Sequence, residues 1–407
     1  MIVGAGPTGL AAAMDLADFG VPCRLIDKLP GPLSHPRAIG IQARTLELFE
    51  QRGIIEPFLR LSHKAHAGNF YSGDKLFLRV DLAPLPSRYH YLTLIDQSQT
   101  ERIMAEKVRQ LGVTVERGVE LTNFRDRGNA VELMLKHSGG YTEHTWAPFL
   151  IGCDGAHSFI REHLKLGFEG KSYPQTFMLA DVHIDWNQSD EEFYVFTSEE
   201  GLAAIFPLGG GYHRLVVVLL NEPSDREPSL QECQTIIDRR LQGAPRLSDL
   251  RWSSYFHVNS RRVEKLRAGR VFVAGDASHV HSPAAGQGMN TGIQESINLT
   301  WKVALVMRRE ADDVLLDTYE EERQPIEKQV LFGTDLVFGV IGAQNGFRAF
   351  FSDHVAPLFD NMELVQDPMR RFVSELAVEY RSSSFSLEQR LEGGLRAGER
   401  AAGACVM

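Results

Sequence analysis

The chain opens MIVGAGPTGLAAAMDLADFG, and the glycines at 4, 6 and 9 constrain its fold more than any other feature. Glycine adopts backbone angles that other residues avoid and lets the main chain approach a ligand, so G-x-G-x-x-G where a strand meets a helix forms a phosphate cradle. Ile2 and Val3 are what remains of a first strand. Leu10 to Phe19 follow as an alanine-rich helix that Gly20 can close with a left-handed cap. VPCRLIDK then reads as a second strand, giving a β-α-β unit whose glycine turn lies at the carboxyl end of a central parallel strand. Gly4, Gly6, Pro7 and Gly9 are the first candidate ligand contacts, with Asp27 and Lys28 at the end of strand two. The Asp27 carboxylate can accept hydrogen bonds from adenosine ribose hydroxyls; the blander alternative is a solvated acid at a strand end.

Two helical stretches, QARTLELFEQRG and TERIMAEKVRQLG, are expected to cover the sheet. Between them NFYSGDKLFLRVDL looks like strands, and FMLADVHI, EFYVF, LAAIF, RLVVVLL and SYFHV continue the strand pattern from Thr176 to Val258. A mainly antiparallel sheet inserted into a nucleotide-binding domain accounts for them. LRAGRVFVAGDASHV returns to a buried parallel strand with Gly275 and Asp276 at its exit, and a second glycine-rich loop then opens a helix at Gly286, Gly288, Met289 and Asn290. If the first cradle holds the adenosine and pyrophosphate of FAD, Asp276 can bind the pyrophosphate or ribityl region while the second helix aims free N–H groups at the flavin ring. A partly buried helix N-terminus stabilises an anion by up to ~2 kcal/mol, which favours the charge on N1 and O2 of reduced flavin.

The expected fold class is therefore α/β with an α+β insert: a Rossmann-like FAD-binding domain, an inserted mainly antiparallel β-sheet substrate domain and a helical C-terminal region. The FAD-binding domain is read as residues 1–70, 97–174 and 259–310, the last with the GD motif. Residues 71–96 supply substrate-domain strands, 175–258 the substrate-binding sheet, and 311–407 C-terminal helices and a tail.

Charge narrows the partners. Forty-three Lys and Arg against 53 Asp and Glu leave −10, with no basic tract, which argues against nucleic acid. Cys23, Cys153, Cys233 and Cys405 show neither metal-ligand spacing nor a CxxC pair, as expected of thiols in a reducing, cytoplasmic setting. The N-terminus lacks the basic region of a signal peptide. DLVFGVIGAQNGFRAFF is broken by Gln344, Asn345 and Arg348 well short of an integral membrane segment, so a packed amphipathic helix is expected, with a peripheral membrane contact as the alternative. His279 and His281 suggest a metal pair or a base, but no third ligand accompanies them, so satisfied or ligand-adjacent histidines are expected and no metal.

Three segments in order, the N-terminal glycine motif, LIGCDGAHSFIRE and VFVAGDASHVHSPAAGQGMNTGIQESINLTWK, give a resemblance across nearly the whole chain. It resembles the FAD-dependent aromatic hydroxylases related to p-hydroxybenzoate hydroxylase, in particular the branch acting on phenols, polyketides and hydroxyphenylpropionate. PRAIGIQARTLELFEQRG, DQSQTERIM and LLDTYEEERQPI are weaker echoes. The resemblance implies that Arg37 and Gln97 contact FAD, that Asp276 binds its ribityl-pyrophosphate region, and that Asp154, Gly155 and Arg161 form a motif linked to FAD and NAD(P)H. Pro283 matches the proline whose backbone lies beside the reactive edge of the flavin, and Glu295 stands where many relatives carry Asp. Gly-rich PLGGGYHR lacks a strand-to-helix setting, so no second dinucleotide domain is expected and NAD(P)H binds transiently.

The implied reaction is monooxygenation: NAD(P)H reduces FAD, O2 adds at C4a as a hydroperoxide, and one oxygen passes to a small aromatic substrate. No side-chain nucleophile is required. Tyr194, Phe196, Phe206, Tyr212 and Arg214 on the inserted sheet are the substrate-pocket candidates. The alternatives are another flavin enzyme on this fold (an epoxidase, a Baeyer–Villiger oxygenase or an FAD-dependent reductase) and a non-catalytic flavin-binding protein. A halogenase is disfavoured because Trp146, Trp186, Trp252 and Trp301 are too dispersed for a WxWxIP segment. Homodimer and monomer both fit. The tail GGLRAGERAAGACVM resembles the linker that leads, in larger relatives, into a thioredoxin-like domain.

Overall fold

The computed structural model describes residues 1–32, 38–198, 200–220, 226–241, 243–281, 286–342, 362–388 and 395–401. A six-stranded sheet runs in the order Arg267–Ala268, Val271–Val273, Leu150–Gly152, Ile2–Val3, Leu25–Asp27, Val115–Arg117. Its neighbours are parallel except for the first hairpin. Ile2, Leu25, Leu150 and Val271 to Val273 are all buried, the short continuous apolar runs of a parallel sheet covered on both faces.

The first helix, Pro7–Asp18, is flanked by helices Gln97–Gln110 and Gly288–Met307. Its buried Ala11, Ala12 and Ala13 keep the helix slim enough for neighbours on several sides. Gly20, at φ +69°, ends it as expected, though the helix begins three residues before Leu10 because Pro7 is preset for a first turn. A separate antiparallel meander, Val119–Asp126, Val131–His137 and Thr142–Ala147, was not singled out by the sequence pattern.

The inserted sheet has eight strands, ordered His279–Val280, Arg246–Val263, Phe168–Asp185, Tyr212–Leu220, Gly201–Gly209, Glu192–Ser198, Ala67–Ser72, Lys75–Asp81. Every pairing is antiparallel except that of Glu192–Ser198 with Ala67–Ser72. The boundaries expected after residues 70, 174 and 258 each fall inside one of these strands. Two of these strands, Phe168–Asp185 and Arg246–Val263, are 18 residues long and run continuously across the expected boundaries, so the chain marks no loop there.

Alternation divides this sheet's side chains between two cores. One face packs Met178, Ala180, Tyr194, Ile205, Leu215 and Val217 against Cys233 and Ile237 of helix Leu230–Arg240. The other carries Phe177, Leu179, Val218, Phe256 and Val258, and Phe193 beside them joins the core of the six-stranded sheet. The C-terminal region contributes helices Thr318–Gly342 and Met362–Ser374. Part of DLVFGVIGAQNGFRAFF lies outside the described residues, and among those described no helix is long and apolar enough to cross a membrane.

Candidate functional site

The cradle is built by glycines with different tasks. Gly4 takes φ +100°, and a Cβ there would collide with the Cys153 carbonyl; a Cβ on Gly9 would collide with the carbonyl of Gly4. Those two glycines let strand, turn and helix touch. At Gly6 a Cβ would meet nothing within 4 Å, so its main chain borders open space. Gly6 is also the N-cap of Pro7–Asp18, a helix with no side-chain cap and no acid in its first turn. Its leading N–H groups, which lack intrahelical acceptors, face a space suited to a pyrophosphate. On that observation the residues present fit FAD.

Asp27 lies beside this turn. Its Oδ2 accepts the Ala5 N–H at 2.8 Å, its Oδ1 accepts the Leu29 N–H at 2.8 Å, and Arg117 Nη1 is 3.2 Å away. Oδ1 has a second lone pair, so the same side chain that ties the turn to strand two can still accept a hydroxyl. Lys28 is exposed next to it.

The second turn meets the first through Thr8. Gly275, at φ +63°, could not carry a Cβ without coming 2.5 Å from Thr8 Oγ1, and a Cβ on Gly292 would be equally close. Ser296 donates to the Thr8 carbonyl at 2.7 Å. Thr8 is thus wedged between the Gly275–Ala277 turn and helix Gly288–Met307, which brings two motifs more than 260 residues apart into contact. Neither Thr8 nor Gly292 was singled out in the sequence; the available signal was a small residue facing a glycine within each motif. Asp276 is exposed between buried Gly275 and Ala277.

At the start of the second helix, Gly286 takes φ +62° and Gly288 and Met289 are partly buried. The N-cap, Gln287, offers no capping side chain, and the first turn has no acid. Asn290 is wholly buried: its Oδ1 accepts the Gln42 N–H at 3.0 Å, and its Nδ2 donates to the Gly40 and Gly286 carbonyls, both at 3.0 Å. Its side chain therefore clamps the Gly40–Gln42 stretch to Gly286, a role the motif did not reveal.

The middle motif is tied to the last. Asp154 accepts Ser158 Oγ at 2.6 Å and the Ile160 N–H at 3.1 Å, and its burial raises its pKa. Gly155 takes φ +81°. Arg161 donates to the Ala277 carbonyl at 3.2 Å, and its guanidinium lies 3.8 Å from the centre of the Phe168 ring. Gln97 exchanges hydrogen bonds with Ala38, its N–H to the carbonyl at 3.1 Å and its Oε1 from the N–H at 3.4 Å. Arg37 and Pro283 lie outside the described residues.

The structure does not gather the five substrate candidates. Phe206 and Arg214 are direct cross-strand partners, and Phe206 packs against the core of the six-stranded sheet. Phe206 stacks on Phe193 with ring centres 5.4 Å apart. Buried Arg214 grips Asp181 with Nε and Nη2 at 2.7 and 2.6 Å, lies 3.6 Å from Asp96, and stands over the Trp252 ring. Tyr194 and Phe196 are one residue out of phase: both sit in the core beneath helix Leu230–Arg240, Tyr194 donating to the Ser189 carbonyl and Phe196 stacking on Tyr71. Tyr212 pairs with Asp249 at the margin and carries Arg251 over its ring. His279 is buried against Glu295 at 2.8 Å, and the rings of His279 and His281 lie parallel 5.8 Å apart.

The family described as FAD binding domain matches residues 1–334. The chain is 35% identical over 349 residues to the 6-methylpretetramide 4-monooxygenase of Streptomyces rimosus, covering 85% of this chain and 62% of that protein. It is 33% identical over 413 residues to the pentachlorophenol 4-monooxygenase of Sphingobium chlorophenolicum, covering 98% and 74%. The solved anhydrotetracycline hydroxylase OxyS of Streptomyces rimosus superposes with a TM-score of 0.77 at 30% identity, over 93% of this chain and 76% of that one. The chain thus spans less than two thirds of the first of these relatives.

Proposed function

The chain belongs to the FAD-dependent aromatic hydroxylases, and from that premise we propose that it uses NAD(P)H and O2 to hydroxylate a small phenolic or polyketide-like molecule. The observation that carries this reading is the junction at Thr8, where a bare helix N-terminus and the glycine turn at Gly275, distant in sequence, pack against each other. When bound, the flavin accepts a hydride from NAD(P)H and delivers one oxygen atom of O2 to an electron-rich ring.

The chain's own residues bind, orient and shield. The Gly4, Gly6, Pro7 and Gly9 turn surrounds the pyrophosphate, which the free N–H groups at the start of the helix hold, Asp27 and Lys28 take the adenosine side, and Asp276 the ribityl-pyrophosphate region. The helix N-terminus at Gly286, Gly288, Met289 and Asn290 faces the ring and favours negative charge on it. Arg37, Gln97, Asp154, Gly155 and Pro283 complete the proposed contacts. The face of the inserted sheet bearing Phe206 and Arg214 is read as the wall nearest the substrate, Phe206 stacking on Phe193 and Arg214 held rigid by Asp181.

The names of the relatives, which act on tetracycline-type polyketides or a chlorophenol, support an aromatic substrate. NAD(P)H binds transiently. The free thiols Cys23, Cys153 and Cys233 support a cytoplasmic setting, and the net charge of −10 supports a small-molecule partner over nucleic acid, whether the protein works as monomer or homodimer. Anaerobic reduction by NADH and NADPH against a panel of phenols and polyketides, then admission of O2 and mass analysis, tests the proposal. A product heavier by one oxygen on a ring is expected; a chlorinated or reduced product, or bound flavin inert to reductant, overturns it.

A further inference from the structure

Behind the Gly275–Ala277 turn lies a charged cluster that the proposed cofactor contacts leave unused. Glu295, wholly buried on helix Gly288–Met307, accepts the Gly275 N–H at 2.7 Å through Oε2 and His279 Nε2–H at 2.8 Å through Oε1. Arg323 Nη2 is 3.9 Å from the same Oε1. Glu327, one turn along the helix from Arg323, is also wholly buried, and neither of its oxygens finds a hydrogen-bond donor among the described residues. Ligating atoms of His279, Glu295 and Glu327 all lie within 4.8 Å of one another. Two carboxylates buried that closely cannot both remain ionised with one of them unpaired.

We propose that Glu327 is a carboxylic acid in the folded protein that shares its proton with Glu295, and that this pair, with His279, is a positioning unit for the Gly275–Asp276 turn. A proton turns an acceptor-to-acceptor contact into a hydrogen bond and leaves the Gly275 and His279 bonds intact. A divalent cation fits less well, because Arg323 already sets a fixed positive charge against Glu295. Burial, then the Glu295 charge, raises Glu327 to about 8 despite the opposing pull of His279 and Arg323. Burial pulls His279 down, yet the charge and hydrogen bond of Glu295, with Asp276, raise it above its ordinary value. Glu295 itself is lowered: burial opposes this, and His279 and Arg323 prevail. Tyr319, Glu375 and Cys153 face the Glu295 charge, each raised chiefly by burial.

The folded chain then holds a proton on Glu327 that the unfolded chain releases near 4.5. That stability is complete below 4.5 and is lost as pH rises through about 8, the folding equilibrium falling by up to about tenfold per pH unit across the window.

The test is equilibrium unfolding of the apoprotein from pH 5 to 9, wild type beside Glu327→Gln, which keeps a donor but cannot titrate. The variant is expected to lose one proton's worth of slope. Infrared difference spectra of the wild type should show a protonated carboxyl band at pH 6 that fades through pH 8, persists in Glu375→Gln, and keeps the proposal testable if Glu327→Gln does not fold. Glu327→Leu should weaken FAD binding about tenfold, with Gln restoring it, as expected when a buried acceptor loses its donor. An unchanged slope, no such band, or one equivalent of divalent metal in the purified protein overturns the proposal. The unfolding and infrared measurements do not require flavin, so they stand apart from any failure of the hydroxylase reading.

Discussion

Gly6 and Gly9 are three residues apart and have opposite surroundings. A methyl group on Gly6 points into the open space beside the helix N-terminus, so Gly6→Ala should leave the melting temperature of the apoprotein within about 2 °C, a change below ~0.5 kcal/mol. The same variant should weaken FAD at least about tenfold, because the methyl takes the place of a phosphate oxygen. Gly9→Ala drives a methyl into the Gly4 carbonyl and should destabilise the apoprotein by ~1–3 kcal/mol. Thermal unfolding with flavin-fluorescence titration separates the two. The spacing of these glycines was legible in the sequence because the helix start at Gly6 and the approach of Gly9 to the Gly4 carbonyl are both local. What Asp27 and Asn290 do was not, since each satisfies main-chain groups of segments distant in sequence: Asp27 the amide of Ala5, Asn290 the amide of Gln42 and the carbonyl of Gly40. Asn290→Ala leaves the buried Gln42 N–H without an acceptor and should cost ~1–3 kcal/mol, read by chemical denaturation.

At the scale of elements, the strand and helix assignments followed from periodicity, and the observed strands contain FMLADVHI, EFYVF, LAAIF, RLVVVLL and SYFHV as read. The facing of each strand did not follow. An alternating strand flanked by apolar layers on both sides carries no polar phase to mark which layer is which, so Tyr194 and Phe206 look alike until pairing places them in different cores. The junction of helix Met362–Ser374 with helix Gly288–Met307 brings a pH dependence with it. Glu375 accepts from Gln294 and Thr291 in a fully buried setting that raises it to about 8, against 4.5 unfolded. Stability from this contact is therefore full at low pH and is lost as pH rises through about 8. Hydrogen exchange across residues 366–374, compared at matched pH with Glu375→Gln, should show the wild type losing protection progressively between about pH 5 and pH 8 and the variant holding it.

For the whole molecule, Arg214 joins the inserted sheet to the FAD-binding part, through Asp181 on its own sheet and Asp96 at the head of helix Gln97–Gln110. Arg214→Met strands the largely buried Asp181 charge and should cost ~3–5 kcal/mol in chemical denaturation, whereas a surface pair such as Arg109 with Glu106 should be nearly silent. The central claim concerns the whole chain: turns at Gly4–Gly9 and Gly275–Asp276, pressed together on Thr8, clasp one flavin dinucleotide. Titration of the purified apoprotein with FAD, followed by quenching of flavin fluorescence, tests that most directly. One FAD bound per chain is predicted, with binding lost when Gly275→Val forces Thr8 out of the junction. A chain that takes up no FAD, or binds it unchanged in Gly275→Val, contradicts the account.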